Sequence, residues 1–134
     1  MIKSGGCLCG HIRYTIKGEP ILTVVCHCTH CQKQSGGVFS TNHGVPETAY
    51  EQSGQTKVFT DSGDSGQPVF RHFCGECGSP ILSTVAAMPG VVLVKAGTLD
   101  DIAAAVPTLE VYTDHAAAWV APIAGARRFG QGAG

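Results

Sequence analysis

The chain has 134 residues, of which 14% are charged, and its formal net charge at pH 7 is −1. This length predicts one domain, which we place at residues 1–129, followed by a tail at residues 130–134 that we expect to be disordered. Arg127 and Arg128 form the only adjacent basic pair, so the sequence does not support nucleic-acid binding driven by phosphate attraction, which needs a clustered basic face, and we predict no nucleic-acid partner. No apolar run approaches about 18 residues, so we predict neither a transmembrane helix nor a membrane partner.

The cysteine content bears on the cellular compartment. Residues 1–6 lack the apolar segment of a secretory signal, so we expect a cytoplasmic protein. The chain has seven cysteines, and in a reducing compartment closely spaced cysteines are more often metal ligands than disulfides. The alternative is a secreted disulfide scaffold cut from a longer precursor. An odd number of cysteines cannot all pair within one chain, and cysteines this close together close only short loops, which argues against that alternative.

Glycine and proline divide the chain into short segments. Residues 11–17 alternate apolar and polar side chains, which is the period of a half-buried strand. Further strands are predicted at residues 21–26, 56–61, 69–73, 80–85, 91–96 and 108–113. The loop between the third and fourth of these seven strands is rich in glycine, serine and aspartate, which is typical of a hairpin.

Helix is predicted at only two places. One short helix spans residues 29–35 and is ended by Gly36 and Gly37, and another spans residues 99–105, before Pro107. Many short strands with so little helix favour an all-β sandwich, a barrel or a pair of packed sheets.

Two cysteine pairs lie far apart in the sequence, Cys7 with Cys9 and Cys74 with Cys77. In an extended chain, side chains two residues apart point the same way, and a tight turn brings residues three apart together. Glycines beside both pairs permit the positive φ that such turns need. Two half-sites of two sulfurs each form a closed zinc site. We therefore predict that this cysteine quartet holds a structural zinc ion.

The remaining cysteines, Cys26, Cys28 and Cys31, lie within six residues, where a predicted strand meets a predicted helix. A strand-like step followed by a turn-like step can direct all three sulfurs at one ion. No eighth cysteine exists, so the fourth position belongs to water, a substrate or a histidine. Zinc with three protein ligands and an open position is typical of catalytic sites. We predict that this cysteine trio holds a catalytic zinc ion, giving two Zn²⁺ per chain.

Four histidines are candidates for the fourth position. We expect His27 to point away from the ion, because it lies between two ligands in extended chain, and His30 to be awkwardly placed beside Cys31. Between binding the ion and taking no part lies a third role for either of these two histidines, which is to donate a hydrogen bond to a ligand sulfur. His43 and His72 are expected to be ordinary loop or strand histidines.

The ligand type points to thiol chemistry. Three thiolates around a divalent ion leave a net charge of about −1, which weakens the ion as a Lewis acid and suits it to binding an incoming thiol as thiolate. A nucleobase deaminase is excluded because the sequence has no His-x-Glu motif. A redox protein with a Cys-x-x-Cys motif is disfavoured because no βαβ pattern accompanies the cysteines.

Three motifs carry a family resemblance: Gly6-Cys7-Leu8-Cys9-Gly10, Cys26-His27-Cys28-x-x-Cys31-x-Lys33-x-Ser35-Gly36, and Phe73-Cys74-x-x-Cys77-Gly78-Ser79-Pro80. Residues 97–101 and the stretch from Glu110 to Val120 share it. Together they resemble the glutathione-dependent formaldehyde-activating enzyme family, which also includes centromere-protein-V-like members. The resemblance covers about residues 5–129 and all seven cysteines.

The resemblance implies a mainly β, Mss4-like (β-tent) zinc-binding fold of short antiparallel strands with little helix. It implies the same two zinc sites and a carbon–sulfur lyase-type activity that joins formaldehyde to glutathione, giving S-(hydroxymethyl)glutathione. The implied partners are a small thiol such as glutathione and a small aldehyde. One position departs from the family: Ala116 stands where relatives often carry a basic residue, which puts glutathione itself in question. Trp119 is expected to be a core or interface anchor.

The sequence thus assigns the catalytic role to Cys26, Cys28 and Cys31 as ligands of the open zinc. Substrate contacts are assigned to Lys33, Ser35 and Gly36, because Lys33 and the N–H groups of residues 34–37 are the nearest groups that suit a carboxylate. The alternative is a non-enzymatic, zinc-stabilised binding module in which a histidine closes the three-cysteine site. A thiol redox protein is a third hypothesis and predicts metal-free cysteines.

Overall fold

A computed structural model describes residues 1–132. Its strands are β1 (Ile2–Gly6), β2 (Arg13–Lys17), β3 (Leu22–Cys26), β4 (Ser40–Pro46), β5 (Tyr50–Ser53), β6 (Lys57–Ser62), β7 (Pro68–Phe73), β8 (Pro80–Val85), β9 (Val91–Lys95), β10 (Leu109–Val111) and β11 (Arg127–Arg128). The one α-helix of this described part is α1 (Thr29–Ser35). The fold is therefore mainly β, as the sequence predicts.

The strands form two sheets. A three-stranded sheet has the order β1-β2-β5, and an eight-stranded sheet has the order β11-β10-β3-β4-β9-β8-β7-β6. Strand β10 pairs in parallel with both β3 and β11, and the other pairs are antiparallel. Tyr14 and Ile16 of the small sheet pack with Ile81 and Val94 of the large sheet in one core. The molecule is thus two sheets that share one apolar interior.

Two glycines precede the first cysteine because the backbone there is crowded. Gly5 forms a bridge to Leu99, and a Cβ at Gly5 would overlap the Tyr14 hydroxyl and the Thr98 carbonyl. A Cβ at Gly6 would overlap the carbonyl oxygen of Ile12. These contacts bring the end of β1 close to both sheets.

The helix prediction for residues 29–35 is confirmed, with Gly36 in the left-handed conformation at the C-cap. The prediction of a helix at residues 99–105 is wrong, because this segment forms only a 3-10 turn over Ile102–Ala104. Leu99 is buried in the core and its backbone bridges to Gly5, so tertiary contacts override the helix propensity of the alanines that follow.

The C-terminal segment returns to the three-residue strand β10. Within the predicted tail, the Gly130 carbonyl accepts a hydrogen bond from Asp114 N, and the Gln131 carbonyl accepts one from Tyr112 N. Ala133 and Gly134 lie outside the described residues. No helix within residues 1–132 is long and apolar enough to cross a membrane.

Candidate functional site

The quartet forms where two turns meet. Gly10 N donates to Cys7 O over 3.2 Å, which closes a turn after β1, and Gly78 N donates to Cys74 O over 2.8 Å, which closes a turn between β7 and β8. The first half-site is therefore a turn and not the extended segment that the i, i+2 spacing predicts. Leu8 at the tip of that turn is exposed.

The sulfurs of the quartet fit a tetrahedral ion. Cys7 Sγ lies 3.6 Å from Cys9 Sγ, and Cys9 Sγ lies 3.8 Å from Cys74 Sγ. A tetrahedron with metal–sulfur distances of about 2.3 Å has sulfur–sulfur edges of about 3.8 Å. All four sulfurs lie within 4.8 Å of one another. The donor set and its spacing thus suit zinc, and Cys7, Cys9, Cys74 and Cys77 would hold it.

Hydrogen bonds favour the thiolate form of Cys7 and Cys77 in this quartet, whereas the pKa of Cys9 is raised to about 12, because a backbone hydrogen bond at His11 is outweighed by burial and the neighbouring thiols. Ile12 N donates to Cys7 Sγ over 3.2 Å, and Glu76 N points at Cys74 Sγ over 3.4 Å. Ser79 supplies a side-chain and a backbone hydrogen bond to Cys77, which with a backbone contact from Cys9 lower the pKa of Cys77 to about 5. Such N–H and O–H contacts stabilise sulfur that carries negative charge.

The trio lies where β3 passes into α1. Cys26 ends β3, Cys28 is the N-cap of α1, and Cys31 lies in the first turn of the helix. The Cys28 sulfur accepts a hydrogen bond from Cys31 N over 3.3 Å. The three sulfurs lie within 4.8 Å of one another, and no further Cys, His, Asp or Glu of residues 1–132 joins the set. This is a donor set with three ligands, which leaves one position of a zinc tetrahedron open.

The three thiols of the trio titrate as a set. The neighbouring thiols of Cys26 and Cys31 lower the pKa of Cys28 far below its usual range, and those of Cys28 and Cys31 raise the pKa of Cys26. One thiol therefore ionises readily. The other two resist ionisation, because a second negative charge beside the first thiolate is repelled by it. A divalent ion offsets this repulsion, so metal binding and deprotonation are coupled here.

A buried lysine accompanies the trio. Lys95 at the end of β9 is only 6% exposed, and its Nζ donates to Ser40 Oγ over 3.1 Å and to Asn42 Oδ1 over 2.9 Å. Burial lowers the pKa of Lys95 to about 8, and the thiols of the trio act in the opposite direction. A buried cation with neutral partners is costly unless negative charge lies nearby. The trio in its thiolate form supplies that charge.

The buried histidine of the second motif faces away from the trio sulfurs. His27 Nε2 donates to Glu110 Oε1 over 2.9 Å, with both side chains 1% exposed. Glu110 Oε2 also accepts from Ile123 N over 2.9 Å. The expectation that His27 points away from the metal is confirmed. No hydrogen bond joins His27 to a sulfur within residues 1–132, because Nε2 binds the Glu110 carboxylate and Nδ1 is buried without a partner.

His30 also binds a carboxylate rather than a sulfur. Its Nδ1 lies 2.8 Å from Asp61 Oδ2, and Arg71 Nε donates to the same oxygen over 2.9 Å. Burial acts to raise the pKa of Asp61, but the hydrogen bonds from His30 and Arg71 lower it to about 2. This ion-pair cluster links helix α1 to the β6–β7 hairpin.

A cleft of about 550 Å³ lies between α1 and that hairpin. It adjoins the trio, because its lining includes Thr29 and His30, which lie between Cys28 and Cys31, and because the charge of Arg71 lowers the pKa of Cys28. The side chains that give the cleft its chemistry are His30, Lys33, Phe59, Asp61, Arg71 and Phe73. None of the three cysteines is among the residues that line the cleft, but a three-ligand set close to a cleft of this size suits a small-molecule site.

The predicted substrate contacts have different surroundings. Lys33 lines the cleft. Ser35 Oγ donates to Phe39 O over 3.0 Å and accepts from Gly37 N over 3.1 Å, while Gly36 N donates to Gln32 O over 3.0 Å. Ser35 and Gly36 therefore end the helix through internal hydrogen bonds, and their contact with substrate stays a prediction.

Several residues around the site escape prediction from the sequence. Lys95 is the one charged residue of the otherwise apolar predicted strand at residues 91–96. Such a position is a signal for a buried charge. Asp61, Arg71 and Phe59 belong to a hairpin whose distance from the trio in sequence gives no hint of their proximity. Trp119 is 77% exposed, so it does not anchor the core, and its role as an interface anchor stays a prediction.

Tyr112 has an unusual backbone beside the trio. Within residues 1–132, Tyr112 is the one non-glycine residue with a positive φ, at 56°. Val111, which precedes it, pairs with Cys26. The nearby carboxylate of Asp64 raises the pKa of Tyr112 to about 12, and the thiols of Cys26 and Cys28 add to this shift. Such strain is common near functional sites.

Comparisons with known proteins agree with this geometry. No curated protein sequence matches the chain. A crystal structure of a Rhodobacter sphaeroides protein, a structural-genomics target, is similar with a TM-score of 0.60 at 13% sequence identity, and the match covers 94% of this chain and 98% of that one. At this identity the likeness shows the fold alone.

The family profile described as glutathione-dependent formaldehyde-activating enzyme matches residues 2–115. This span contains all seven cysteines, both half-sites of the quartet and the whole trio. The chain therefore belongs to the glutathione-dependent formaldehyde-activating enzyme family.

Proposed function

We propose that the chain is a zinc-dependent enzyme of the carbon–sulfur lyase type, which forms and breaks the adduct of a thiol and a small aldehyde. The family reaction, S-(hydroxymethyl)glutathione formation from glutathione and formaldehyde, is the model for it. In this proposal the quartet holds the structural zinc and the trio holds the catalytic one. The observation that carries the proposal is a three-sulfur set, without a fourth protein ligand in residues 1–132, beside a cleft.

The proposed reaction needs no oxidant or reductant. Zinc bound at the trio would supply an open position that favours the thiolate form of a thiol. The sulfur lone pair forms a bond to the aldehyde carbon, and the π electrons of the carbonyl move to its oxygen. That oxygen takes up the proton that the thiol released, and the reverse sequence returns thiol and aldehyde.

Residues of the chain supply proton transfer and charge balance. His30 lines the cleft, is half exposed and has its Nδ1 held by Asp61, so Nε2 is the ring nitrogen that remains for proton transfer. We assign to it the transfer of the proton between sulfur and aldehyde oxygen. Lys95 offsets the excess negative charge of the trio, and Lys33 is the proposed partner for a substrate carboxylate. We also propose contacts from Ser35 and Gly36.

The proposal also covers the domain organisation of the chain and its cellular location. We propose a single functional domain over residues 1–129, because the quartet joins residues 7 and 77 and β10 and β11 complete the large sheet. We propose a cytoplasmic location, since thiolate ligands persist in reducing surroundings.

Exchange spectroscopy tests the activity. Zinc-loaded protein is mixed with glutathione and ¹³C-formaldehyde, and NMR measures exchange between free aldehyde and adduct. We expect exchange faster than the uncatalysed rate, and we expect Cys28→Ser to remove the acceleration. An exchange rate equal to that of a protein-free sample would overturn the activity.

X-ray absorption at the zinc edge separates the enzyme from the binding module. The enzyme predicts that one of two zinc sites has three sulfurs and one light ligand that a thiol displaces. A fixed imidazole at that position would support the non-enzymatic binding module instead. Two tightly held zinc ions would exclude the redox protein.

A further inference from the structure

We infer that the thiol substrate carries one carboxylate beside an aromatic or similarly bulky apolar group, in contrast to glutathione, which carries two carboxylates and an ammonium. This inference rests on the proposed function and names the substrate class of the same site. Its basis is the make-up of the cleft: an aromatic wall, one uncommitted cation, and backbone N–H groups that are already engaged.

The wall of the cleft on the hairpin side is aromatic. Phe59 and Phe73 both line the cleft. Phe59 pairs with Arg71 and Lys57 pairs with Phe73 in the β6–β7 register, so alternation places Phe59 and Phe73 on one face of the hairpin. Phe59 is 61% exposed. A phenylalanine held open at a cleft offers apolar surface that a ring of the substrate would bury.

Lys33 and Arg71 are the lysine and arginine that line the cleft, and Arg71 is committed to the Asp61 carboxylate. The Arg71 side chain is 8% exposed, so little of it is open to a ligand. Lys33 forms no ion pair within residues 1–132. One free cation at the cleft matches one carboxylate of a ligand.

A second carboxylate finds no evident partner at the end of α1. The N–H of Gly36 donates to Gln32 O and the N–H of Gly37 donates to Ser35 Oγ. A dianionic thiol would leave one carboxylate without a partner, which weakens its binding relative to a monoanion.

Three thiols test the inference by calorimetric titration of the zinc-loaded protein. They are 2-mercapto-3-phenylpropanoate, its ring-free analogue 2-mercaptopropanoate, and glutathione. We expect the phenyl compound to bind about tenfold more tightly than the ring-free analogue, which corresponds to about 1.4 kcal/mol from the ring contact. We expect it also to bind more tightly than glutathione.

Two variants locate the contacts. Phe59→Ala should remove most of the advantage of the phenyl compound and leave the ring-free thiol unchanged, while Lys33→Met should weaken both monoanionic thiols. Phe70→Ala is the matched control: this half-exposed residue of the same hairpin pairs with Thr60 on the opposite face. It should leave all three affinities unchanged.

The outcomes separate the two claims. If glutathione binds as tightly as the phenyl compound or more tightly, the inference is wrong and the proposed function stands. If Phe59→Ala weakens the two monoanionic thiols equally, the ring contact is wrong. If none of the three thiols binds the zinc-loaded protein, the proposed function fails as well.

Discussion

Lys95 is a buried cation whose hydrogen-bond acceptors, Ser40 and Asn42, are both neutral. Its ammonium and the trio influence each other across strands β3, β4 and β9, because Cys26 pairs with Ser40 and Asn42 pairs with Lys95. With zinc bound, three thiolates and one divalent ion leave a net charge of about −1, which one lysine balances. The cost of burying Lys95 is thus offset when the trio is ionised.

Replacing Lys95 should weaken metal binding at the trio. Lys95→Met removes the positive charge that favours the three thiolates, so we expect zinc affinity there to fall about tenfold. Chelator competition, followed by zinc release in two phases, measures this. Lys17→Met, at an exposed position of β2, is the control and should change neither phase. Equal affinities for wild type and Lys95→Met would contradict the charge-balance argument.

Cys28→Ser should separate the two metal sites. Cys28 is partly exposed and belongs to a three-ligand set, so its loss should remove one of the two expected zinc ions while the fold persists. Elemental analysis counts the metal, and circular dichroism checks the fold. A variant that retained both ions, or that lost both together with its secondary structure, would argue against two independent sites.

Among the elements, apolar and alternating segments were predictable and polar or glycine-rich strands were not. Strand β8 was predicted with its observed bounds of Pro80–Val85. Strand β4 was missed because Ser40, Asn42 and His43 look like loop residues, although all three are buried. They pair with partners such as Lys95 and Thr23, which only the assembled sheet brings near. Strand β1 was missed because of its two glycines.

The glycines that end β1 should tolerate no side chain. Gly5→Ala would force a Cβ against Tyr14 and the Thr98 carbonyl, so we expect a loss of stability on the order of 2–3 kcal/mol. Urea unfolding of the zinc-loaded protein measures it. Gly97→Ala is the matched control, because a Cβ there meets nothing within 4 Å. Equal midpoints for the two variants would show that β1 can shift to make room.

For the whole molecule, the sequence predicted which cysteines group together but not the cleft. The quartet and the trio are local patterns with fixed spacing, so their grouping could be predicted from Cys74, Cys77 and the N-terminal pair alone. The cleft arises because the β6–β7 hairpin comes to lie beside α1 through Asp61 and His30. A contact between residues 31 positions apart has no periodic signal in one sequence.

Stability should fall as the pH drops below about 6.5, in part because of His43. Burial lowers the pKa of His43, so below the unfolded pKa of about 6.5 the unfolded chain binds a proton that the folded chain refuses. Stability from this group is complete above that pH and decreases by up to about 1.4 kcal/mol per pH unit as the pH falls.

A substitution isolates this contribution. His43→Gln should show a smaller loss of unfolding free energy between pH 7 and pH 5.5 than the wild type, as measured by urea titrations at both values. Thiol protonation at the metal sites affects both proteins alike. His11→Gln, at an exposed position, should keep the wild-type pH dependence. Parallel pH profiles for His43→Gln and the wild type would refute the assignment.

The exposed loop between β6 and β7, residues 63–67, divides the chain so that Cys7 and Cys9 fall in one piece and Cys74 and Cys77 in the other. Two polypeptides cut at this loop would therefore need each other to complete one coordination sphere, whereas the trio stays whole within the N-terminal piece. Reassembly of such a split protein should depend on zinc, which would make the pair a metal-gated complementation system.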